Sequence, residues 1–249
     1  MLHRRIYQFF IIYALGLSFL MAIKYGLSLS DYVIPGPSDL WKTSIRFASQ
    51  YFTHVMNTLS VAVIGQVASI LLAFLVGVTG RQATWFGSFI KVAAYNVQAY
   101  PIVAIAPILF ILLGDGILTR ILIASMICYF PLLLSVIGIM SEPVSDIEHF
   151  YRMTGRMRWQ LEVKIRAFEN FGKLTTVISG SATLAMAGTI VSEFIAADAG
   201  IGYSIRIALY QGELSNILIA LFLIGITLSV YQGLLELFGR TVQKGWTRI

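Results

Sequence analysis

The sequence specifies an all-α integral membrane protein with six transmembrane helices, and three observations predict it. Of its 249 residues, 57% are hydrophobic and 12% charged. The mean hydropathy is +0.80, above what a soluble domain of this length carries. Charged residues also divide the chain into long neutral blocks at 6–23, 55–80, 92–114, 121–141, 174–192 and 214–235. Each is near or beyond the roughly 18 to 20 apolar residues that a helix needs to cross about 30 Å of hydrocarbon.

The first block follows His3, Arg4 and Arg5 and has the outline of a signal peptide, but it is long and no small-residue cleavage pattern follows it. It is predicted to remain as a helix over about 6–26. Next, Ile34-Pro35-Gly36-Pro37 cannot continue a helix, and Ser38 or Asp39 can cap a new one. Leu40, Trp41, Ile45, Phe47 and Ala48 beside Lys42 and Arg46 then form a short amphipathic pattern, predicted to lie along the outer membrane surface. The third span holds Tyr100, Pro101 and Pro107 with Asn96 and Gln98 upstream. Prolines remove backbone donors, so this span should be kinked and should face protein. Gly114-Asp115-Gly116 is a compact turn into the fourth span, which contains the single cysteine, Cys128. One cysteine excludes an intrachain disulfide or a thiolate metal cluster. Without an internal repeat or low-complexity tract, one membrane domain over 1–249 is expected, with a core at about 53–240 and a long inside loop at about 142–173.

Lysine and arginine set the orientation. With the N-terminus inside, thirteen of the 18 cations fall on inside segments, including six between 152 and 173 and Arg240, Lys244 and Arg248 near the C-terminus. Lys24, Lys42, Arg46, Arg120 and Arg206 remain outside. Both termini are therefore expected in the cytoplasm. The net charge of +6 reflects this topology; no basic stripe is interleaved with exposed aromatics, which argues against a nucleic-acid partner.

The inside loop concentrates charge in an otherwise oily chain. Ser145 and Glu148 have capping-box spacing and predict a helix start. Ile147, Phe150, Tyr151 and Thr154 recur on one helical face, and Gly155 supplies a left-handed end. A second amphipathic stretch has Leu161, Ile165 and Phe168 on one side, with Glu162 and Arg166 paired at i to i+4 on the other. Two readings fit. One is a solvated loop, basic because it is on the inside. The other is a docking elbow whose aromatic face enters a groove on a partner, since so short a helix is marginal alone.

Three stretches carry a resemblance: IPGPS at 34–38, YPIVAIAPILFILLGDG at 100–116 and VSEFIAADAGIGYSI at 191–205. In this order the chain resembles the permease subunits of ATP-binding cassette (ABC) importers of the type I, MetI-like architecture. The branch is the one that imports nitrate, sulfonates, taurine or pyrimidine-type vitamin precursors. The family's cytoplasmic signature is Glu-Ala-Ala, three residues, Gly, nine residues, Ile, one residue, Leu-Pro. Gly155 and Ile165 keep that separation, while His149, Phe150 and Tyr151 stand for Glu-Ala-Ala, and Ala167 and Phe168 for Leu-Pro. The larger side chains imply either a reshaped groove on the ATPase or impaired coupling.

The resemblance implies a bacterial inner-membrane complex. Two permeases, expected here as a homodimer in membrane lipid, enclose a path; ATPase subunits bind ATP and Mg²⁺ below, and an extracytoplasmic binding protein delivers the solute. The permease itself performs no bond chemistry. Ile147, Phe150, Tyr151, Arg152, Gly155, Arg156 and Trp159 are the candidate ATPase contacts. Asn96, Gln98, Tyr100, Ser181, Thr183 and Glu193 are candidates for the path or its gate, with Arg206 as a candidate partner for Glu193. The alternatives are hydrogen bonds between helices for the neutral side chains and an interfacial carboxylate for Glu193. Asp198, Gly200, Gly202 and Tyr203 form a turn that is either a contact for the delivery protein or an ordinary loop. Gly77, Gly80, Gly180 and Gly188 are expected to permit close packing of helices.

No cofactor is expected in the chain. There is no GxxxxGK[ST] loop for ATP, and His3, His54 and His149 are too scattered for a metal. An ion- or proton-coupled secondary transporter is the alternative, but it would place ionisable groups within the spans, and these hold almost none.

Overall fold

Hydrocarbon offers backbone amides and carbonyls no partner, so a chain this apolar satisfies them within each segment. Helices result: α1 (Leu2–Gly26), α2 (Pro37–Gly80), α3 (Trp85–Ala99), α4 (Ile102–Leu113), α5 (Ile117–Ser141), α6 (Ser145–Met153), α7 (Trp159–Glu169), α8 (Phe171–Ala196), α9 (Ile201–Gln211) and α10 (Leu214–Trp246). The computed structural model describes residues 2–81, 85–156 and 158–246, and no strand occurs among them. Arg248, counted above as an inside cation, lies outside the described residues.

Five helices (α1, α2, α5, α8 and α10) are long and apolar enough to cross a membrane, and α3 with α4 makes a sixth crossing if taken as one broken span. The predicted third span is thus more than kinked: its two halves meet at 86°. The cause is local. Pro101 has no amide hydrogen to extend α3 and disfavours a helical Tyr100, and it takes φ −68° and ψ 103° as the N-cap of α4.

The stretch predicted to lie along the surface is corrected too. It is continuous with the second span in a 44-residue α2, about 66 Å long at 1.5 Å per residue. Gly36 is the N-cap, with Pro37 opening the helix, rather than Ser38 or Asp39. Proline suits that first turn, where its missing donor has no helical acceptor. Trp41 and Ile45 are each 70% exposed on this extension.

Helices α2, α5, α8 and α10 pack on one another as the core. Small residues bring them close: a Cβ on Gly77 would lie 2.7 Å from Val136 Cγ1, and one on Gly188 would lie 3.0 Å from Ala124 Cα. Gly80 likewise abuts Ile137 and Ile90, whereas Gly180, expected to pack in the same way, faces open space. Hydrogen bonds join the core where dispersion alone would leave polar atoms bare. Gln66 donates to Ile178 O at 2.8 Å and Ser181 Oγ at 3.0 Å, and accepts from the Tyr231 hydroxyl at 2.6 Å.

Helix α1 packs along α10, where Phe9 lies over Gly225, the Tyr13 hydroxyl donates to Leu218 O at 2.9 Å and Arg5 pairs with Glu236 and donates to Gln232. These contacts define two ends. Arg5, Glu236, Thr175, Glu142 and Arg81 gather with α6 and α7 at the elbow end, while Lys24, Asp31, His54, Ser204 and α9 gather at the other.

Candidate functional site

At the elbow end, sequence and structure agree on a short helix, a glycine corner and a second helix. The Gly155 N–H donates to Arg152 O at 3.0 Å and the Arg156 N–H to Tyr151 O at 3.0 Å, which is the Schellman arrangement. Gly155 sits at φ +64°, where a Cβ would be strained. All seven predicted contacts lie on this elbow. Phe150 is 63% exposed, Trp159 58% and Ile147 37%; Arg152, Gly155 and Arg156 are exposed and Tyr151 is half-buried. Tyr151 and Ile147 of α6, together with Val163, Ala167 and Phe168 of α7, line an apolar groove of about 580 Å³.

The capping-box expectation is half right. Val144 is the N-cap and no side chain caps it from Ser145's position, but Glu148 accepts from the Val144 N–H at 3.2 Å. Glu148 turns inward instead of staying on the helix surface. Its two carboxylate oxygens accept from Arg166 Nε at 2.6 Å and Nη2 at 3.0 Å, and Arg166 Nη1 donates to Met140 O at 2.9 Å. Glu162 then bridges Arg166 (3.0 Å, the expected i to i+4 pair) and Arg81 Nη1 (2.6 Å). The Arg166 guanidinium holds the Glu148 carboxyl below the usual carboxylate range, overcoming the opposing effect of burial. The Glu148 contact in turn raises Arg166 further above its already high value.

The path candidates separate into two groups. Asn96, Gln98 and Tyr100 are exposed at the end of α3 and at the bend. On α8, Thr176, Gly180, Thr183 and Ala187 form an open stripe at helical spacing, and Thr183 accepts from Gln232 Nε2 at 2.7 Å. Ser181 lies on the opposite side, buried against Gln66. Asn57 and Ser60 are also exposed, on α2. Sequence reasoning passed over them, although an amide within an apolar span was a usable signal.

Glu193 is fully buried at the α9 end. Its carboxylate accepts from Thr58 Oγ1 at 3.0 and 2.7 Å and from the Gly202 N–H at 3.0 Å, while the Thr58 hydroxyl accepts from the Ile201 N–H at 2.9 Å. Two orphan amides opening α9 are thereby satisfied. The suggested pairing with Arg206 does not form. Arg206 caps α8 instead, donating to Phe194 O, Ile195 O and Ala197 O at 3.2, 2.9 and 2.6 Å. Gly200, at φ +100°, lies so close to the Glu193 carboxylate that a Cβ would collide with it. Among the described residues, no group of three or more His, Cys, Asp or Glu could hold a metal.

A bundle of apolar helices, broken at one proline and carrying a basic elbow, has the architecture of a multi-pass membrane protein. Residues 65–245 match the family described as the binding-protein-dependent transport system inner membrane component, and the chain belongs to that family. It is similar to the riboflavin transport system permease protein RibX of Chloroflexus aurantiacus, at 32% identity over 85% of this chain and 82% of that one. It is similar also to the formylaminopyrimidine transport permease protein ThiX of Halalkalibacterium halodurans (22% identity, 78% of each chain). A probable ABC transporter permease protein of Haemophilus influenzae matches at 26% over 82% of this chain and 84% of the relative. The chain is thus an ABC transport permease and a multi-pass membrane protein, and the names of its family and relatives place it with transport subunits rather than enzymes.

Proposed function

We propose that two copies of this chain enclose a translocation path in a bacterial inner membrane, with the elbow end in the cytoplasm and the α9 end outside. A soluble binding protein delivers the solute at the α9 end. Two ATPase subunits bind ATP and Mg²⁺ and grip α6. The observation that carries this reading is the α6 elbow: a helix of nine residues with Phe150 and Met153 exposed, too short to be stable unaided, ended by a Schellman turn and followed by Arg156 and Arg158. Thirteen cations on the elbow side of the sequence support the orientation.

The solute is a planar nitrogen heterocycle of the vitamin class. The names of two relatives support this, riboflavin for one and formylaminopyrimidine for the other. Exposed polar groups in the charge-free stretches of α2 and α8 include neutral amides and hydroxyls (Asn57, Ser60, Thr176 and Thr183), which suit an uncharged heterocycle better than an anion needing arginine.

Affinity purification of the tagged chain tests the reading. It should retain a soluble ATPase, and Phe150→Glu should release it. Retention of no ATPase by the unaltered chain overturns the proposal.

A further inference from the structure

Four places in the molecule lie outside the proposed path and docking face. The Glu193–Thr58 latch satisfies the start of α9, and the polar hollow beside α8's first turn, lined by Thr175, Thr176, Glu236 and Arg240, holds a carboxylate already paired with Arg5. The apolar groove between α2 and α10 shows nothing of what covers it. The ionic chain Glu148–Arg166–Glu162–Arg81 remains, and it carries an inference.

This chain connects elements that the backbone leaves loosely joined. Glu148 is on α6, Arg166 and Glu162 are on α7, Arg81 follows the end of α2, and Met140, which accepts from Arg166, is near the end of α5. Glu148 is 2% exposed and Arg166 and Arg81 are each 7% exposed, so the pairs are sheltered from screening by salt. Arg166 spends three of its nitrogens on fixed partners, a planar fork that a lysine could not reproduce. Helix α6 is thus fastened by its inward carboxylate to the ends of two spans, while its outward face stays free.

We propose that Glu148 and Arg166 form a positioning joint that transmits displacement of α6 to the ends of α2 and α5, so that the pair sets coupling rather than ATPase affinity. The proposal rests on the reading of α6 as the ATPase contact. A loop held only by its chain connections would absorb a pull at α6; one pinned at Met140 and Arg81 passes it on. Neither residue belongs to the exposed docking face, and the pair is 18 positions apart in sequence, with no local pattern to announce it.

The test uses the assembled permease–ATPase complex in vesicles and compares solute imported per ATP hydrolysed. Glu148→Gln and Arg166→Gln should retain the ATPase but lower that ratio about tenfold, and the double variant should be no worse than either single one, as for two residues acting as a unit. Glu162→Gln, at a more exposed node, should lower it two- to threefold and decides the matter if the buried variants fail to assemble. A purely structural role would reduce the amount of complex and leave the ratio unchanged, and that result overturns the joint while sparing the docking reading. An unaltered chain that holds no ATPase overturns both.

Discussion

Single residues decide the two ends of the molecule. At the elbow, Gly155→Val places a β-branched side chain at φ +64°, at a cost of at least roughly 1–2 kcal/mol. The corner should open, and ATP hydrolysis in vesicles should proceed with little import; unchanged import would show that the turn is dispensable. At the other end, Gly200→Ala drives a Cβ against the Glu193 carboxylate. The variant should melt several degrees below the parent in detergent, since strain of this kind costs on the order of 1–3 kcal/mol. Glu148 makes a prediction about pH. Its pKa is lowered by Arg166, with Val144 N–H and Arg152 assisting and burial opposing. Lowering in the folded state means that its stabilisation is present above the ordinary carboxylate pKa and is lost as pH falls through the folded value. A spin label at Met153 should therefore stay immobile until the pH drops below about 4, the unperturbed glutamate range. Arg166 and Arg152 are the charged groups that act on it, and Glu162 shares Arg166 with it. In Glu148→Gln the label should be mobile at neutral pH already. Breaking the buried pair costs roughly 3–5 kcal/mol.

At the scale of elements, what could be read from the sequence was whatever depends on near neighbours. Charge-free blocks gave the spans, Gly155 gave the corner, and the i to i+4 spacing gave Glu162 with Arg166. What escaped depends on partners far along the chain. Glu148 has the spacing of a local cap, and nothing in the sequence tells that Arg166, 18 positions on, reaches it; Glu193 has Arg206 nearby in sequence, whereas Thr58, 135 positions away, holds it. The prolines announced a kink but not its size. The 86° bend between α3 and α4 arises because Pro101 both stops one helix and caps the next. If so, Pro101→Ala should let the two join. Their lengths, about 22 and 18 Å at 1.5 Å per residue, then add nearly in line. Labels at Phe86 and Leu112 should move apart by roughly 10 Å in a pulsed spin-label distance measurement; no change would place the cause of the bend in the packing of α4 on α5 and α8.

At the scale of the whole molecule, the bundle divides its labour by end. Within the core of α2, α5, α8 and α10, Gln66, Ser69, Ser181 and Tyr231 are bonded among themselves or to backbone. Open polar side chains are left on α2 and α8, where a second copy and a water-filled path would meet them. The elbow end presents an exposed face pinned from behind by Glu148 and Arg166, and the α9 end presents a short helix whose start is held by Glu193 and Thr58. Arg156→Glu should weaken the ATPase in a salt-sensitive manner if charge contributes to the grip, since exposed pairs are screened within about 8–10 Å at physiological ionic strength. Association unaffected by salt would assign the grip to Phe150 and its apolar neighbours.

Purified permease, ATPase and binding protein in sealed vesicles, supplied with labelled riboflavin or a formylaminopyrimidine, give the most direct measurement. Accumulation should require ATP on the elbow side and the binding protein on the α9 side, and should persist when ionophores collapse every ion gradient. Accumulation that follows an ion gradient and ignores ATP would contradict the reading of this chain as the membrane half of an ATP-driven importer.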